Sequence, residues 1–363
     1  MLSGLVSSGT KALGGNRFSL VNLLPATLVT VLVVGLIRSG AYSFSSRPKL
    51  SDAIPMGNSA ITTSVALAFG IFLIAVVLQP FQVALVRLLE GYWTERGVAG
   101  AVGNLLVQYH LRVKATAEHD ASVRGVVPPK TSSLADLADY EVRRHAVIAR
   151  ANRAEARMRS YPDEDHRVLP TALGNILRSG EDAAGIRYGL DAMTVYPRLY
   201  PYISGRLDAA MSQQLDVIDS TSAICVAFGI ATISGTPLVL RWDGWSLVPL
   251  GLLIVTFFAY AATKAAARDH GVLLATIVDL HRFDLLARLH YPLPKNVDDE
   301  WEFNQELSQF LSGRTPAQDE SYRLLRRYRH EAASAPAAKK ATSHEEYSDD
   351  GKKELEDTSS TES

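Results

Sequence analysis

Cysteine is almost absent from this sequence of 363 residues, and neither sign of charge is in excess. The one cysteine, Cys225, lies inside an apolar run, so a disulfide framework and a cysteine-based zinc site are both excluded. The 37 Lys and Arg residues are balanced by 38 Asp and Glu residues. A dedicated nucleic-acid-binding domain carries a basic excess, so we predict no nucleic-acid partner.

The motifs that mark catalysis and cofactor binding are also lacking. No glycine precedes the Lys-Ser/Thr pair of a phosphate-binding loop, and no G-x-G-x-x-G follows a predicted strand. The nine histidines form no metal-binding spacing, and no G-x-S-x-G nucleophile elbow occurs. His281, with Asp279 and Asp284 nearby, could be a ligand set, although a helix-paired histidine is the commoner case. We therefore predict no cofactor and no bound metal, and we favour a protein without enzymatic activity.

Long uncharged runs, in contrast, are plentiful. Four blocks, residues 19–37, 60–86, 217–240 and 246–263, each hold roughly 18 or more residues with no charge at their centre, the length that crosses a bilayer. The third block is the weakest, because it starts polar and is interrupted by Ser-Gly-Thr-Pro. The first block could be a cleaved signal peptide, but its apolar core is long and no clear cleavage site follows. We predict an all-α membrane protein with four transmembrane helices.

The distribution of Lys and Arg near the span ends predicts the orientation, because cytoplasmic flanks are richer in both residues. An even number of spans places both termini and the long middle segment on one side. That side carries about seven basic residues and the other about four, which assigns it to the cytoplasm of a bacterial inner membrane. The seven are Lys11, Arg17, Arg87, Arg96, Arg206, Lys264 and Arg268, and the four are Arg38, Arg47, Lys49 and Arg241.

The remaining segments follow from these spans. We predict a cytoplasmic N-terminus (1–18), an outer loop (38–59), a helical cytoplasmic domain (87–216), an outer turn (241–245), a further cytoplasmic helical segment (264–331) and a disordered tail (332–363). The tail is nearly devoid of apolar residues, so it cannot bury enough surface to offset the entropy of ordering.

A basic stripe is expected on one helix of the cytoplasmic domain. Residues 134–159 favour a helix, which the serines after Pro128 and Pro129 would cap. Four arginines there are spaced by seven, three and four residues and so share one face: Arg143, Arg150, Arg153 and Arg157. The stripe could bind anionic lipid headgroups of the inner leaflet, or it could be an ordinary solvated helix face, which we favour.

The densest polar stretch is residues 167–191, RVLPTALGNILRSGEDAAGIRYGLD. Thr171 suits a helix N-cap and Gly185 a helix end. Gly174 and Gly180 inside that helix each cost about 1 kcal/mol relative to Ala, and a glycine kept at such a cost often marks a close helix approach. We favour this packing interpretation over a ligand or partner site. The residues that such a site would use are Asn175, Arg178, Glu181, Arg187, Asp191 and Arg198.

Three stretches, LVNLLPATLVTVLVV, LPTALGNILRSGEDAAGIRYGLDAMTVYPRLYP and DLHRFDLLARL, carry a resemblance. The chain resembles a family of chiefly actinobacterial integral membrane proteins with a Leu-Pro-Thr-x-Leu-Gly-Asn motif, followed by Arg-Tyr-Gly-x-Asp. The resemblance covers residues 17 to 312, and Tyr196 stands where the family is expected to have tryptophan. No activity is assigned to the family, so the resemblance implies a membrane location and an important cytoplasmic loop, and nothing about chemistry.

Taken together, these patterns favour a non-enzymatic, membrane-anchored scaffold or partner-binding protein. Its expected partners are the lipid bilayer, possible anionic headgroups, and a protein partner or a second copy of the chain. One alternative is a subunit of an oligomeric channel or transporter whose axis is lined by Asn22, Gln79 or Gln82. Another is an inner-leaflet enzyme, which would enclose Arg178, Glu181, Arg187 and Asp191 in one polar pocket.

Overall fold

The computed structural model describes residues 24–43, 48–53, 60–78, 81–93, 96–123 and 133–313. Within these ranges all regular structure is helical and no strand occurs, which confirms the all-α class. The predicted N-terminal segment and the predicted disordered tail lie outside the described residues, as do Asn22 and Gln79.

Eleven α-helices are described in these ranges, and short 3₁₀ turns connect several of them. They are α1 (Leu24–Arg38), α2 (Leu50–Ala53), α3 (Ala60–Leu78), α4 (Gln82–Glu90), α5 (Gly97–Ser122), α6 (Leu134–Met158), α7 (Ala172–Gly185), α8 (Ala192–Leu199), α9 (Gly205–Gly235), α10 (Leu247–Arg288) and α11 (Val297–Leu311).

The two longest helices, α9 and α10, form an antiparallel hairpin. Its turn is tight because Trp242 adopts a left-handed backbone with φ of 54° and because Asp243 caps the turn that follows, accepting from the Trp245 N–H at 3.0 Å. The end of α1 packs on this turn, where Leu36 and Leu238 are both buried. The hairpin turn lies where the sequence predicts it.

Two described segments are long and apolar enough to cross a bilayer: Gly205–Arg241 and Gly244–Arg288. They contain the third and fourth predicted blocks. The first two blocks correspond to shorter apolar helical stretches, Thr27–Arg38 and Ser64–Val76, and both blocks extend partly beyond the described residues. The structure therefore supports two candidate spans by length and composition.

Helix α10 differs from the prediction, which ended a span near residue 263 and began a separate amphipathic helix after it. The structure has one continuous helix of 42 residues, about 63 Å long. The charges that suggested a boundary, Lys264 and Arg268, are compatible with a helix, and no proline occurs in this helix after Pro249. The second half of α10 thus extends directly from the apolar half.

A hydrophobic core gathers around this second half. Ile277, Val278, Leu285 and Leu286 are buried side chains of α10 in this core. Leu274 of α10 is also buried there, and the segments that follow α7 and α10 add Leu190 and Tyr291. Helices α7, α8, α9 and α11 supply the remaining members, which are Ala184, Ala192, Val195, Leu199, Met211, Phe303 and Leu307. The core therefore joins the glycine-rich stretch to the hairpin and to α11.

Helices α5 and α6 form a second hairpin. Ser133 caps α6 by accepting from the Asp136 N–H, as the serines in this region predict. Arg150 of α6 makes a two-point ion pair with Asp120 of α5, at 2.8 and 3.1 Å. In contrast to α10, α6 buries only Ala151 and Ala154, so most of its surface is exposed.

Candidate functional site: the glycine-rich segment 167–199

The first half of this segment forms a socket for the end of α4. Thr171 caps α7 by accepting from the Gly174 N–H at 3.0 Å, and its hydroxyl donates to the Glu90 carbonyl at 2.8 Å. A Cβ on Gly174 would lie inside van der Waals contact of that same carbonyl oxygen. The N-cap at Thr171 and the close approach at Gly174 are both confirmed.

Asn175 fixes the entry of the chain into this socket. Its side chain is fully buried, accepts from the Leu169 N–H at 2.7 Å and donates to the Leu169 carbonyl at 2.9 Å. Both polar atoms of the amide are thus used by the backbone of one residue, Leu169. These two hydrogen bonds account for a buried asparagine at this position.

Helix α7 then runs alongside α10 at very short range. A Cβ on Gly180 would lie 2.8 Å from the Gly271 Cα, so neither glycine can carry a side chain without a backbone shift. At the start of α7, the Leu173 N–H donates to the Tyr260 hydroxyl at 3.1 Å. The packing interpretation of the glycines therefore holds at Gly180 as well.

A charged cluster lies on the α4 side of α7. Arg178 donates to the Tyr92 hydroxyl at 2.8 Å, and its charge acts on both Glu90 and Glu181. Burial raises the pKa of the Glu181 carboxyl, and the nearby Glu90 charge raises it further, against the opposing effect of Arg178. Burial likewise raises the pKa of Glu90. Nothing in the sequence near Glu90 marks it as a member of this group.

The second half of the segment forms the surface against which α11 packs, which we call the seat of α11. The Asn304 amide donates to the Tyr188 carbonyl at 2.9 Å, and the Asp191 N–H donates to the Ser308 hydroxyl at 2.9 Å. Gly189 has φ of +71°, and a Cβ there would overlap the Trp301 carbonyl oxygen. The Arg-Tyr-Gly-x-Asp motif is thus a docking surface for a helix more than a hundred residues away in sequence.

The side chains of Asp191 and Arg198 also form hydrogen bonds at helix ends. The Asp191 carboxylate caps α8, accepting from the Met193 N–H at 3.1 Å and the Thr194 hydroxyl at 2.6 Å. Arg198 donates to the Thr194 carbonyl at 2.6 Å and to the Leu311 carbonyl at 3.0 Å. Through the second bond Arg198 caps the end of α11.

Arg187 faces a different space. It lines a cavity of about 760 Å³ between the end of α6, α7 and α10, together with Arg159 and Arg268. Glu181 and Asp191 line another cavity, of about 400 Å³, which also includes the Arg167–Asp182 ion pair. Arg178 lines neither cavity. Among the described residues, the four side chains that an inner-leaflet enzyme would need do not share one pocket.

The four arginines of α6 have mixed surroundings. Arg150 is bound to Asp120 as described, and Arg143 pairs with Asp139 at 3.0 Å. Arg153 and Arg157 are exposed, and neither has a carboxylate within 4.0 Å in the part of the chain that the structure describes. Headgroup binding by this stripe stays a prediction.

No cluster of three or more potential metal ligands occurs among the described His, Cys, Asp and Glu residues. His281 pairs with Asp284 at 2.9 Å, one helical turn away. This is the helix-paired arrangement that the sequence analysis gives as commoner than a ligand set.

Comparisons of the chain with known protein families, with curated proteins and with solved structures give no match.

Proposed function

We propose that the chain is a multi-pass protein of the bacterial inner membrane that acts as a non-enzymatic scaffold, with α6 as the surface that receives a soluble protein partner. In this topology of four spans, both termini and helices α5 to α8 and α11 lie on the cytoplasmic side of the membrane. Two candidate spans and the positive-inside pattern support this topology, and the resemblance to actinobacterial membrane proteins supports the compartment.

The observation that carries the scaffold proposal is the contrast between the motif segment and α6. The motif residues bind neighbouring helices to one another and so stabilise the packing of the cytoplasmic helices. Helix α6, in contrast, packs mainly on α5 and exposes apolar side chains, including Leu134 at 87% and Val142 at 67%. A long helix with exposed apolar and basic side chains matches the helix-in-groove mode of recognition, and its partner would offer an apolar groove with an acidic margin.

Neither alternative from the sequence gains a comparable observation. An enzyme at this segment would bring its charged groups together, and in the described residues they are divided between separate surroundings. A channel would use Asn22, Gln79 or Gln82, of which the first two lie outside the described residues.

The topology is tested by labelling with a membrane-impermeant maleimide in a background where Cys225, the one native cysteine, is replaced by serine. Trp242→Cys, at a position that is 91% exposed in the hairpin turn, should be labelled in intact cells. Asp298→Cys on α11 should react only after the membrane is opened. The reverse pattern would overturn the orientation, and labelling of both positions in intact cells would overturn the membrane-spanning arrangement.

The partner surface is tested by photo-cross-linking in native cells. A benzoylphenylalanine at Val142 should give one adduct of defined mass, and the same group at Val297, which is also well exposed, should not. Arg153→Glu should reduce the yield at Val142 several-fold if the margin of the groove is acidic. An equal pattern at both positions, or no adduct at either, would remove α6 as the partner surface.

A further inference from the structure

Helix α5 has three different faces in its first four turns. Gly100, Gly103 and His110 are buried against the rest of the molecule. A second face is polar and includes Asn104, Gln108 and Arg112. The third is an apolar stripe at spacings of four, three and four residues, and it is exposed: Val98 (82%), Val102 (43%), Leu105 (67%) and Tyr109 (58%).

Charge is distributed unevenly along this helix. Residues 97–111 contain no Asp, Glu, Lys or Arg, whereas residues 112–122 contain Arg112, Lys114, Glu118 and Asp120. Lys114 donates to the Asp165 carboxylate at 2.7 Å and to the Asp163 carbonyl. The first half of α5 is therefore suited to an apolar environment and the second half to water.

The contacts of Gly103 place the first half of α5 beside the residues that begin α7, and these in turn bind the apolar part of α10. A Cβ on Gly103 would be in ordinary contact with the Trp93 ring at 3.7 Å and with Pro170 at 3.8 Å. Pro170 immediately precedes the turn whose Leu173 N–H binds the Tyr260 hydroxyl. Tyr260 belongs to the uncharged stretch of α10 that lies between Asp243 and Lys264.

We propose that the first half of α5 lies in the plane of the inner leaflet, with the stripe formed by Val98, Val102, Leu105 and Tyr109 inserted among the lipid acyl chains. An interfacial helix of this kind buries one apolar face at the boundary between headgroups and chains and keeps its polar face in water. The inference rests on the proposed membrane location and adds a fifth membrane contact that does not span the bilayer.

A second copy of the chain is a poorer occupant of this stripe. Four side chains cannot supply the approximately 800 Å² per partner that a stable dimer interface buries. The buried face of α5 contacts Pro170, at the start of α7, and the Leu173 N–H there binds Tyr260 in the uncharged stretch of α10, where lipid is the expected solvent. Lipid is therefore the occupant to which the geometry points.

The test is the depth of single nitroxide labels, in the Cys225→Ser background, in vesicles of phosphatidylethanolamine and phosphatidylglycerol. Leu105→Cys and Val98→Cys report the stripe, and Gln108→Cys on the polar face of the same helix is the matched control. Phe257→Cys, at an exposed position in the apolar half of α10, is the reference for lipid. The measured quantity is the ratio of collisions with oxygen to collisions with a water-soluble nickel chelate.

Labels on the stripe should show a ratio several-fold above that of Gln108→Cys and below or equal to that of Phe257→Cys. A stripe ratio equal to that of Gln108→Cys, with Phe257→Cys in lipid, would overturn the in-plane helix and leave the membrane location intact. Stripe labels shielded from both reagents would show that protein covers the stripe, which would also overturn it. Phe257→Cys in water would instead overturn the proposed membrane location itself.

Discussion

At the residue scale, the missing side chain of Gly174 is what allows α7 to rest on the end of α4. A methyl group there would overlap the Glu90 carbonyl and lie 2.8 Å from the Leu169 side chain. We expect Gly174→Ala to lower the free energy of unfolding by about 1–3 kcal/mol, the usual cost of overpacking. Thermal unfolding in detergent, followed by circular dichroism, measures the change.

The control for this variant is Gly251→Ala in α10, where an added Cβ meets nothing within 4 Å. That substitution should leave the midpoint of unfolding unchanged or raise it slightly, because alanine is the better helix former. Equal midpoints for the two variants would show that the contact at Gly174 has no energetic consequence.

Glu181 is expected to make the stability of the folded protein depend on pH. Because its pKa is raised in the folded state, the protonated form is the one that folding favours. The stability that depends on this group is present below the unfolded pKa, which is near 4.5, and is lost as the pH rises through the folded value. We expect Glu181→Gln to be more stable than the native protein at pH 8, with the difference vanishing at pH values below about 4.5.

Melting temperatures of both proteins across this pH range provide the measurement. Glu302→Gln, at an exposed position of α11, is the matched control and should follow the native curve at all pH values. A native protein that is more stable than Glu181→Gln at pH 8 would mean that the attraction of Arg178 outweighs burial and the repulsion by Glu90.

At the scale of elements, α11 is held by its buried Phe303 and Leu307 and by polar contacts around one ion pair. Arg282 of α10 donates to the Glu300 carboxylate at 2.7 Å, and its guanidinium lies over the Tyr188 ring at 4.2 Å. The side chains of Arg282 and Glu300 are 19% and 9% exposed. Removal of one partner from a pair this buried costs about 3–5 kcal/mol, because the other charge is left without compensation.

We therefore expect Glu300→Ala to release α11 from its seat while the α9–α10 hairpin stays folded. Hydrogen exchange should accelerate for amides of α11 beyond its first turn and stay unchanged in α9. Glu302→Ala removes an exposed carboxylate from the same helix and should have no such effect. Uniform acceleration over the whole chain would show that α11 does not behave as a separate unit.

The sequence predicts a structural feature well when the residues that form it are close together in the chain, and poorly when they are far apart. The N-caps at Ser133 and Thr171 are local features and are predictable from single residues. Helix α7 ends at Gly185 as the sequence predicts, but φ of this glycine is −119°, so it is not the left-handed residue that commonly ends a helix. It is needed there because a Cβ would overlap the Leu190 carbonyl.

The candidate site was harder to predict, because its partners are distant in sequence. The residues that contact Thr171, Arg198 and Asp191 are 81, 113 and 117 positions away. A single sequence carries no signal for such pairs. The polar residues of the motif therefore resembled a ligand site, whereas most of them cap helices or bind backbone groups of neighbouring helices.

At the scale of the whole molecule, the continuity of α10 decides whether the two halves move together. Proline at position 265, an exposed position of α10, would remove one helical hydrogen bond and cost about 3 kcal/mol. Spin labels at Phe257 and Leu280, both exposed, are about 35 Å apart along a straight helix. The native background should give a narrow distance distribution near that value, and Ala265→Pro should give a broad one.

Ala265→Leu is the control for this experiment and should keep the narrow distribution. A narrow and unshifted distribution in Ala265→Pro would mean that packing against α7 keeps α10 straight without its own hydrogen bonds. In that case the Gly180–Gly271 contact would be the stronger source of rigidity.

The length of α10 beyond Lys264 makes it a lever. Its last 24 residues extend about 36 Å from the point where the uncharged stretch ends. A membrane helix changes its tilt when the thickness of the bilayer changes. Over a 36 Å arm, a tilt change of about 5° displaces the far end of α10 by about 3 Å, roughly the rise of two helical residues. The seat of α11 would register the thickness of the surrounding membrane as a movement.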